Sequence, residues 1–265
     1  MAGLSERALG FGAVAAAYER FRPGYPDELF ELVAAYAGRP LRTALEIGAG
    51  TGKATRLFAG RGVAVTATDP DPAMLAELAR NVPGAVTAPG SVRTVRAAFE
   101  ELRPGPTYGL CYAAAALHWT RPEGRWARVA ALLEPGGVFA SFGGPVRLAD
   151  PGLEERVRVA RAAFLASDEV PSPDGTAPAA EMQWPGTELL RSPLFEDVRQ
   201  VVLGRRLTLD AADYVGYLST VSAYLELAPE RRRAALGAVL RVLPARVGID
   251  AGLIGHLARR VSAPA

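Results

Sequence analysis

From Arg42 onward, apolar residues fall in short unbroken runs separated by glycine-marked turns and amphipathic stretches. This rhythm predicts strand, turn and helix in repetition. Thr43-Ala44-Leu45-Glu46-Ile47 predicts a short buried strand, and Lys53 to Ala59 a helix closed by Gly60 and Gly62. The β-branched run Val63 to Thr68 ends at Asp69, and Asp71 caps a helix through Asn81. Ala85 to Ala88 predicts a brief third strand, Thr107 to Ala113 a fourth, and Arg121 to Leu133 a helix. A turn at Pro135-Gly136-Gly137 precedes a fifth strand over Val138 to Phe142. Strands alternating with helices predict an α/β fold, a parallel sheet with helices on both faces.

The flanks are more helical. Ala13 to Phe21 predicts a helix stopped by Pro23 and Pro26. A second runs from Pro26 to Tyr36, with proline early and acids in its first turn. After Asp150 the pattern predicts a helix over Leu153 to Ala166 and a mobile loop over the proline-rich Ser167 to Pro185. A long strand over Phe195 to Leu209 follows, then helices over Ala211 to Leu227 and Pro229 to Leu243. Leu253 to Val261 fits a final strand or helix.

Composition narrows the class. The 265 residues are 49% hydrophobic and 22% charged, which selects a folded chain over a disordered one. A net charge of +2 supplies no global field toward nucleic acid or anionic lipid. No apolar run has the length of a membrane span, and MAGLSERALGFG lacks the apolar core of a secretory signal. One cysteine, Cys111, excludes an internal disulfide, and two histidines, His118 and His256, speak against a zinc hydrolase. The expectation is a cytoplasmic, metal-independent protein. Lys53 is the only lysine, so it is the sole candidate for Schiff-base chemistry; the arginine excess fits a GC-rich genome.

The sharpest motif is Glu46-Ile47-Gly48-Ala49-Gly50-Thr51-Gly52, between a predicted strand and a predicted helix. Glycines there let backbone approach a ligand, and the helix start offers free amides. The spacing is neither Gly-x-Gly-x-x-Gly nor the P-loop pattern. Asp69 ends the next strand, where an acid can accept hydrogen bonds from both ribose hydroxyls of a nucleoside.

Together, ALEIGAGTGKATRLFA, TATDPDPAML, ALHWT and LLEPGGVFASF resemble the motifs of class I S-adenosylmethionine-dependent methyltransferases. AYERFRPGYP is similar to small-molecule members such as the trans-aconitate methyltransferase-like proteins. The resemblance implies a Rossmann-like seven-stranded sheet with an N-terminal helical lid (1–40), an S-adenosylmethionine-binding core (41–150), and remaining strands with a helical substrate cap (151–265, the cap at about 210–248). It implies that Glu46 sits near the cofactor's amino group, that Gly48, Ala49 and Gly50 offer backbone to its methionine portion, and that Asp69, followed by Pro70, holds the ribose. Met74 would line the adenine, Gly90, Ser91 and Val92 would lie near the adenine amine, and Ala113 would complete the cofactor set. Tyr18, Arg22 and Tyr25 would cover the sulfonium end, Arg22 meeting the carboxylate. Two positions depart from the subgroup: Arg93 and Gly109 stand where acids are common.

Methyl transfer from a sulfonium needs alignment, and a base only where the acceptor must lose a proton. His118, after the fourth strand, is the candidate base, or with Trp119 a wall beside the cofactor; Tyr18 is a second catalytic candidate. Tyr214, Tyr217 and Tyr224 share a helical spacing that suits either core or a substrate pocket. Met182 and Trp184 are candidates for a lid. Cys111 and His256 fit structural positions, and Arg231-Arg232-Arg233 a solvated face. The expected activity is methyl transfer to an oxygen or nitrogen of a specialised metabolite or small acid, with S-adenosylhomocysteine as product. The expected protein is a monomer or homodimer that binds neither nucleic acid nor membrane. The alternatives are a non-methylating enzyme that keeps the cofactor, such as a cyclase, and a nucleic-acid or protein methyltransferase.

Overall fold

The computed structural model describes residues 10–82, 90–103, 105–165, 167, 171–177 and 179–262. They form two units, each assembled from separated stretches of chain. The larger comprises Gly24–Gly143, Ser172–Leu203 and Ile254–Ala265; the smaller comprises Met1–Pro23, Gly144–Pro171 and Gly204–Leu253. The segments expected at 1–40, 41–150 and 151–265 each contribute to both.

In the larger unit, β1 (Thr43–Ile47), β2 (Ala64–Asp69), β3 (Val92–Arg96), β4 (Tyr108–Ala114), β5 (Leu133–Gly143), β7 (Phe195–Leu203) and β10 (Leu253–Arg260) form a seven-stranded sheet. Its order is β3-β2-β1-β4-β5-β10-β7. The first five run parallel, and β10 pairs antiparallel with β5. This is the expected seven-stranded, Rossmann-like sheet. Strand order reverses between β1 and β4, and such a switch point opens a crevice at the carboxyl ends of the strands. Helices α2 (Asp27–Ala37), α3 (Lys53–Ala59), α4 (Pro72–Asn81), α5 (Arg125–Leu132) and α7 (Gly186–Arg191) accompany the sheet. The central β4 and the inner stretch of β5 are apolar and covered on both faces, as central parallel strands are; Leu110, Cys111, Phe139 and Ala140 are fully buried.

In the smaller unit, β6 (Arg147–Leu148), β9 (Arg246–Asp250) and β8 (Arg206–Asp210) make a three-stranded antiparallel sheet. It packs with α1 (Ala15–Phe21), α6 (Pro151–Arg161), α8 (Ala211–Leu218), α9 (Ser222–Leu225) and α10 (Pro229–Val242). Tyr214, Tyr217, Tyr224, Val239 and Ile249 fill its core, with Phe21 against it.

Several boundaries differ from the pattern's prediction. The strand expected at Ala85 to Ala88 lies outside the described residues, and the third strand stands at Val92–Arg96, where two arginines hide the alternation. The long strand over Phe195 to Leu209 is two strands in different sheets, broken at Gly204 and Arg205. The helix over Ala211 to Leu227 ends at Leu218. There Ser219 Oγ and Thr220 Oγ1 donate to the Gly216 and Tyr217 carbonyls, competing with continuation of the helix. The helix predicted from Arg121 starts at Arg125, after Gly124 takes a φ of 69°. The helix over Leu153 to Ala166 runs Pro151–Arg161. β5 absorbs the Pro135-Gly136-Gly137 turn. The strand Arg246–Asp250 and the helix Gly186–Arg191 are additions. In the loop expected to be mobile, Asp174 accepts hydrogen bonds from Ser172 Oγ, the Thr176 amide and Thr187 Oγ1. Among the described residues, no helix is long and apolar enough to cross a membrane.

His256 on β10 is 3% exposed, with Nε2 2.9 Å from Gln200 Oε1. Burial pushes its pKa down to about 4. Unfolded, the imidazole takes a proton near pH 6.5. The folded chain therefore binds fewer protons, and stability complete above about pH 6.5 declines toward about pH 4. Urea denaturation at pH 7, 5.5 and 4.5 tests this: His256→Gln flattens the decline, and an unchanged slope excludes His256 as its source.

Candidate functional site

Three loops meet at the carboxyl edge of the sheet around the switch point. The first follows β1. Ala49 N donates to the Thr68 carbonyl at 2.9 Å, and Thr68 Oγ1 donates to the Glu46 carbonyl at 2.7 Å, which ties the turn to the end of β2. Asp69 completes the tie: Oδ2 accepts from the Gly50 amide and Oδ1 from the Asp71 amide, each at 2.9 Å. Asp69 is 8% exposed, and burial pushes its pKa up. Asp71 caps α4 by accepting from Ala73 N, and Met74 on that helix is buried.

Gly48 and Gly50 take left-handed φ values of 66° and 54°. A Cβ on Gly48 would stand 2.5 Å from Ala116 Cβ, so this glycine lets the loop after β4 close against the turn after β1. That loop contains Ala115, a non-glycine residue at φ 51°, and the short 3₁₀ turn Leu117–Trp119. Backbone strain of this kind costs on the order of 1–3 kcal/mol and persists where its surroundings enforce it. His118 and Trp119 are half-buried, their rings 4.7 Å apart.

Glu46 is fully buried. Its Oε2 accepts from Thr55 Oγ1 at 2.6 Å and from the Tyr112 hydroxyl at 2.8 Å. Glu46 Oε1 and Thr51 Oγ1 are buried without a hydrogen-bond partner among the described residues. Orphaned buried acceptors are rare, and these two stand at a turn that presents backbone amides. Tyr112 stacks on Phe58 with centroids 4.4 Å apart, and Phe142 in turn meets Tyr25 edge-on at 5.3 Å.

The structure therefore brings together Glu46, Gly48, Ala49, Gly50, Asp69, Pro70, Met74, His118 and Trp119, with Ala113 buried on β4 between Ile47 and Ser141. Gly90, Ser91 and Val92 are a correction. Val92 pairs with Val65 and Arg96 with Asp69, so residues 90–92 lie at the opposite edge of the sheet, about 13 Å of strand away. Ala97, whose amide donates to the Asp69 carbonyl, and Ala98 hold the position beside Asp69 instead. The departure at Arg93 dissolves with that misplacement.

Tyr18 and Arg22 belong to the smaller unit. Arg22 donates to Thr220 Oγ1 and to the Thr220 carbonyl, with its guanidinium over the Tyr18 and Tyr217 rings. Tyr214, Tyr217 and Tyr224 are 2%, 7% and 0% exposed: they fill the core, and the helix break puts Tyr224 on a separate helix. Met182 packs on Gly186, and Trp184 joins the sheet's hydrophobic cluster, so neither projects as a lid residue. Cys111 is core.

Sequence reasoning missed Tyr112 and Thr55, although a tyrosine within an apolar strand was a usable sign. It also missed Arg125, which is buried. Its Nε and Nη2 donate to Thr120 Oγ1 and O, and its Nη1 to Glu188 Oε2, anchoring the residue that follows Trp119.

Residues 45–141 match a family described as a methyltransferase domain. Uncharacterised methyltransferases of Mycobacterium tuberculosis and Mycobacterium bovis are each 35% identical over 132 residues, 50% of this chain and 51% of theirs. The chain spans about half the length of the curated relatives it matches. Among solved structures, a protein assigned as a type II methyltransferase from Anaeromyxobacter dehalogenans superposes with a TM-score of 0.66 at 25% identity, over 92% of this chain and 100% of that one. Phosphoethanolamine N-methyltransferase 2 of Haemonchus contortus, in complex with phosphomonomethylethanolamine and S-adenosylhomocysteine, gives 0.51 at 13% identity over 95% of this chain and 58% of that one, a likeness of fold.

The two glycines separate strain from contact. Gly50→Ala meets open space and lowers stability by roughly 1–2 kcal/mol through its left-handed backbone. Gly48→Ala adds the collision with Ala116 and lowers stability by roughly 2–5 kcal/mol. Equal losses in urea titrations would contradict the close approach of the two loops.

Proposed function

We propose that this chain is a class I S-adenosylmethionine-dependent methyltransferase, a reading supported by its fold and by the match of residues 45–141, and that it transfers a methyl group to an oxygen or nitrogen of a small molecule, a specialised metabolite or small acid. The observation that carries this reading is the convergence of the glycine turn, Glu46 and Asp69 at the switch point of the sheet. S-adenosylmethionine supplies an activated methyl on a sulfonium.

The residues present fit that cofactor. The orphaned Glu46 Oε1 and Thr51 Oγ1 offer acceptors to a ligand rich in N–H and O–H groups. Gly50 meets open space on its Cβ side, which lets the turn's backbone approach the ligand, while the Cβ side of Gly48 is taken by Ala116. Asp69 keeps acceptor capacity beyond its two amides, since an ionised carboxylate has about four lone-pair sites for ribose hydroxyls. Ala97 and Ala98 flank the adenine side, opposite Met74. Tyr25, on the Phe142 edge, gives an apolar cover that excludes water.

The remaining work is alignment of acceptor, methyl carbon and sulfur. His118 stands on the loop closed against Gly48 and takes the proton of a hydroxyl or protonated-amine acceptor. Trp119 forms the wall beside it. The pinning of Thr120 by Arg125 holds this turn in place.

Calorimetry with S-adenosylhomocysteine tests the cofactor. The full chain binds it, and Asp69→Ala weakens binding by about 1–3 kcal/mol, the cost of leaving polar groups unpaired. Binding of NADH with no response to S-adenosylhomocysteine would overturn the reading. With an acceptor found by following S-adenosylhomocysteine release, His118→Ala lowers the rate by roughly 10²–10⁴ if that acceptor must lose a proton. A variant within about threefold of wild type removes His118 as the base.

A further inference from the structure

The turn that carries His118 and Trp119 is closed by its last residue. The Leu117 carbonyl accepts from Thr120 N at 3.0 Å and from Thr120 Oγ1 at 2.7 Å, so His118 and Trp119 are the middle pair of a turn bonded twice at one oxygen. Thr120 is 5% exposed, and Arg125 takes both of its oxygens: Nε donates to Oγ1 at 2.8 Å and Nη2 to the carbonyl at 2.7 Å. Gly124, at φ 69°, makes Arg125 the first residue of α5, and its side chain folds back on the residue five positions earlier. On the entry side, Ala113 to Ala116 offer methyl groups and no side-chain hydrogen bond. Side-chain bracing enters at the exit, from Arg125.

The arginine is itself set from behind. Nη1 donates to Glu188 Oε2 at 3.1 Å, and Trp126 Nε1 donates to the same oxygen at 2.8 Å. Trp126 meets Phe139 edge-on at 5.3 Å and Phe195 at 5.9 Å, which ties Glu188 to the core of the sheet. The guanidinium lies 5.3 Å from the centroid of the Trp184 ring. All of these residues belong to the larger unit. Arg125 is 2% exposed, and a well-packed apolar set in place of such an ion pair is often as stable or more so. What an apolar set cannot do is fix Thr120 in direction. That takes a planar fork of donors, which lysine, with the same charge, does not have.

We propose that Arg125 is a positioning residue for methyl transfer: through Thr120 it sets the direction of His118 and Trp119 toward the acceptor, with Glu188 holding the guanidinium in register, so that its loss slows transfer and spares cofactor binding. The role rests on the reading above, in which His118 and Trp119 face the acceptor. The turn after β1 and the end of β2 are tied to each other at Asp69, a tie that does not pass through Arg125. Misplacing a reacting group by about 1 Å costs on the order of 10²-fold in rate.

The experiment compares the full chain with Arg125→Lys, which keeps the charge and removes the fork. Proton–carbon spectra report the two histidine rings separately. The ring signals of His118 should shift or broaden in the variant, while those of His256 on β10 stay in place and show the fold intact. In calorimetry, S-adenosylhomocysteine should bind both chains within about threefold, and with the acceptor found by following S-adenosylhomocysteine release, kcat should fall by roughly 10–10² with little change in the cofactor KM. Thr120→Val removes the Oγ1 acceptor and should repeat the effect; Thr120→Ser, which keeps it, should recover most of the loss. This pair decides the matter if Arg125→Lys fails to fold. Unmoved His118 signals in Arg125→Lys and Thr120→Val would overturn the proposal. So would a loss of cofactor affinity as large as the loss of rate, or a Thr120→Ser chain as slow as Thr120→Val. Absence of S-adenosylhomocysteine binding by the wild-type chain would instead remove the methyl-transfer reading, and this proposal with it, whatever the histidine signals show.

Discussion

The pair of hydrogen bonds from the Gly50 and Asp71 amides to the Asp69 carboxylate holds the candidate site in place. It fastens the turn after β1 to the end of β2, so two neighbouring strands finish as one rigid unit. The bonds are charge-assisted and buried, where they are stronger than in water. The cost is visible in the same residue, whose carboxyl is pushed toward protonation by burial. With the turn fixed, Gly48 has one position, and the loop after β4 closes against it. The glycine turn takes its place from that tie, and the His118–Trp119 turn closed against it is held on its far side by the Arg125 contacts to Thr120.

How much of this could be read from the sequence depends on the range of each interaction. The glycine turn, Glu46 and Asp69 were legible because their chemistry is local to a strand end. The first two strands and the helix between them were legible because their apolar runs are continuous. β3 was not, because Val92-Arg93-Thr94-Val95-Arg96 is a half-exposed edge strand with arginine where a hydrophobic residue would give it away. Missing that strand is what sent the adenine-side assignment to Ser91, at the wrong end of the register. The partnership of Glu46 with Tyr112 spans 66 positions and that of Arg125 with Glu188 spans 63; no periodicity encodes such pairs. The same holds for the tyrosines near residue 220, whose spacing fits a core face and a pocket face equally until burial decides.

Buried polar groups are distributed unevenly. Arg125 is held by Thr120 and Glu188, with Trp126 Nε1 also donating to Glu188. That arrangement is satisfied and stiff, suited to holding a loop still. Around Glu46 one oxygen is doubly bonded and the other bare. Stability alone would favour filling the second oxygen or replacing the acid with a hydrophobic residue. An unfilled acceptor in a fully buried position marks a place where the fold gives up stability.

The interleaving of the two units has a consequence for inheritance and engineering. The chain passes between them near residues 23, 143, 171, 203 and 253, so neither is a contiguous piece of polypeptide. A crossover at any single point between residues 24 and 253 divides both. The smaller unit cannot be exchanged as a cassette, and grafting one from a relative means transplanting three segments with matched ends. During synthesis the last strand of that unit, Arg246–Asp250, emerges after β1 to β5, so its three-stranded sheet must wait for them while β1 to β5 can already begin to assemble.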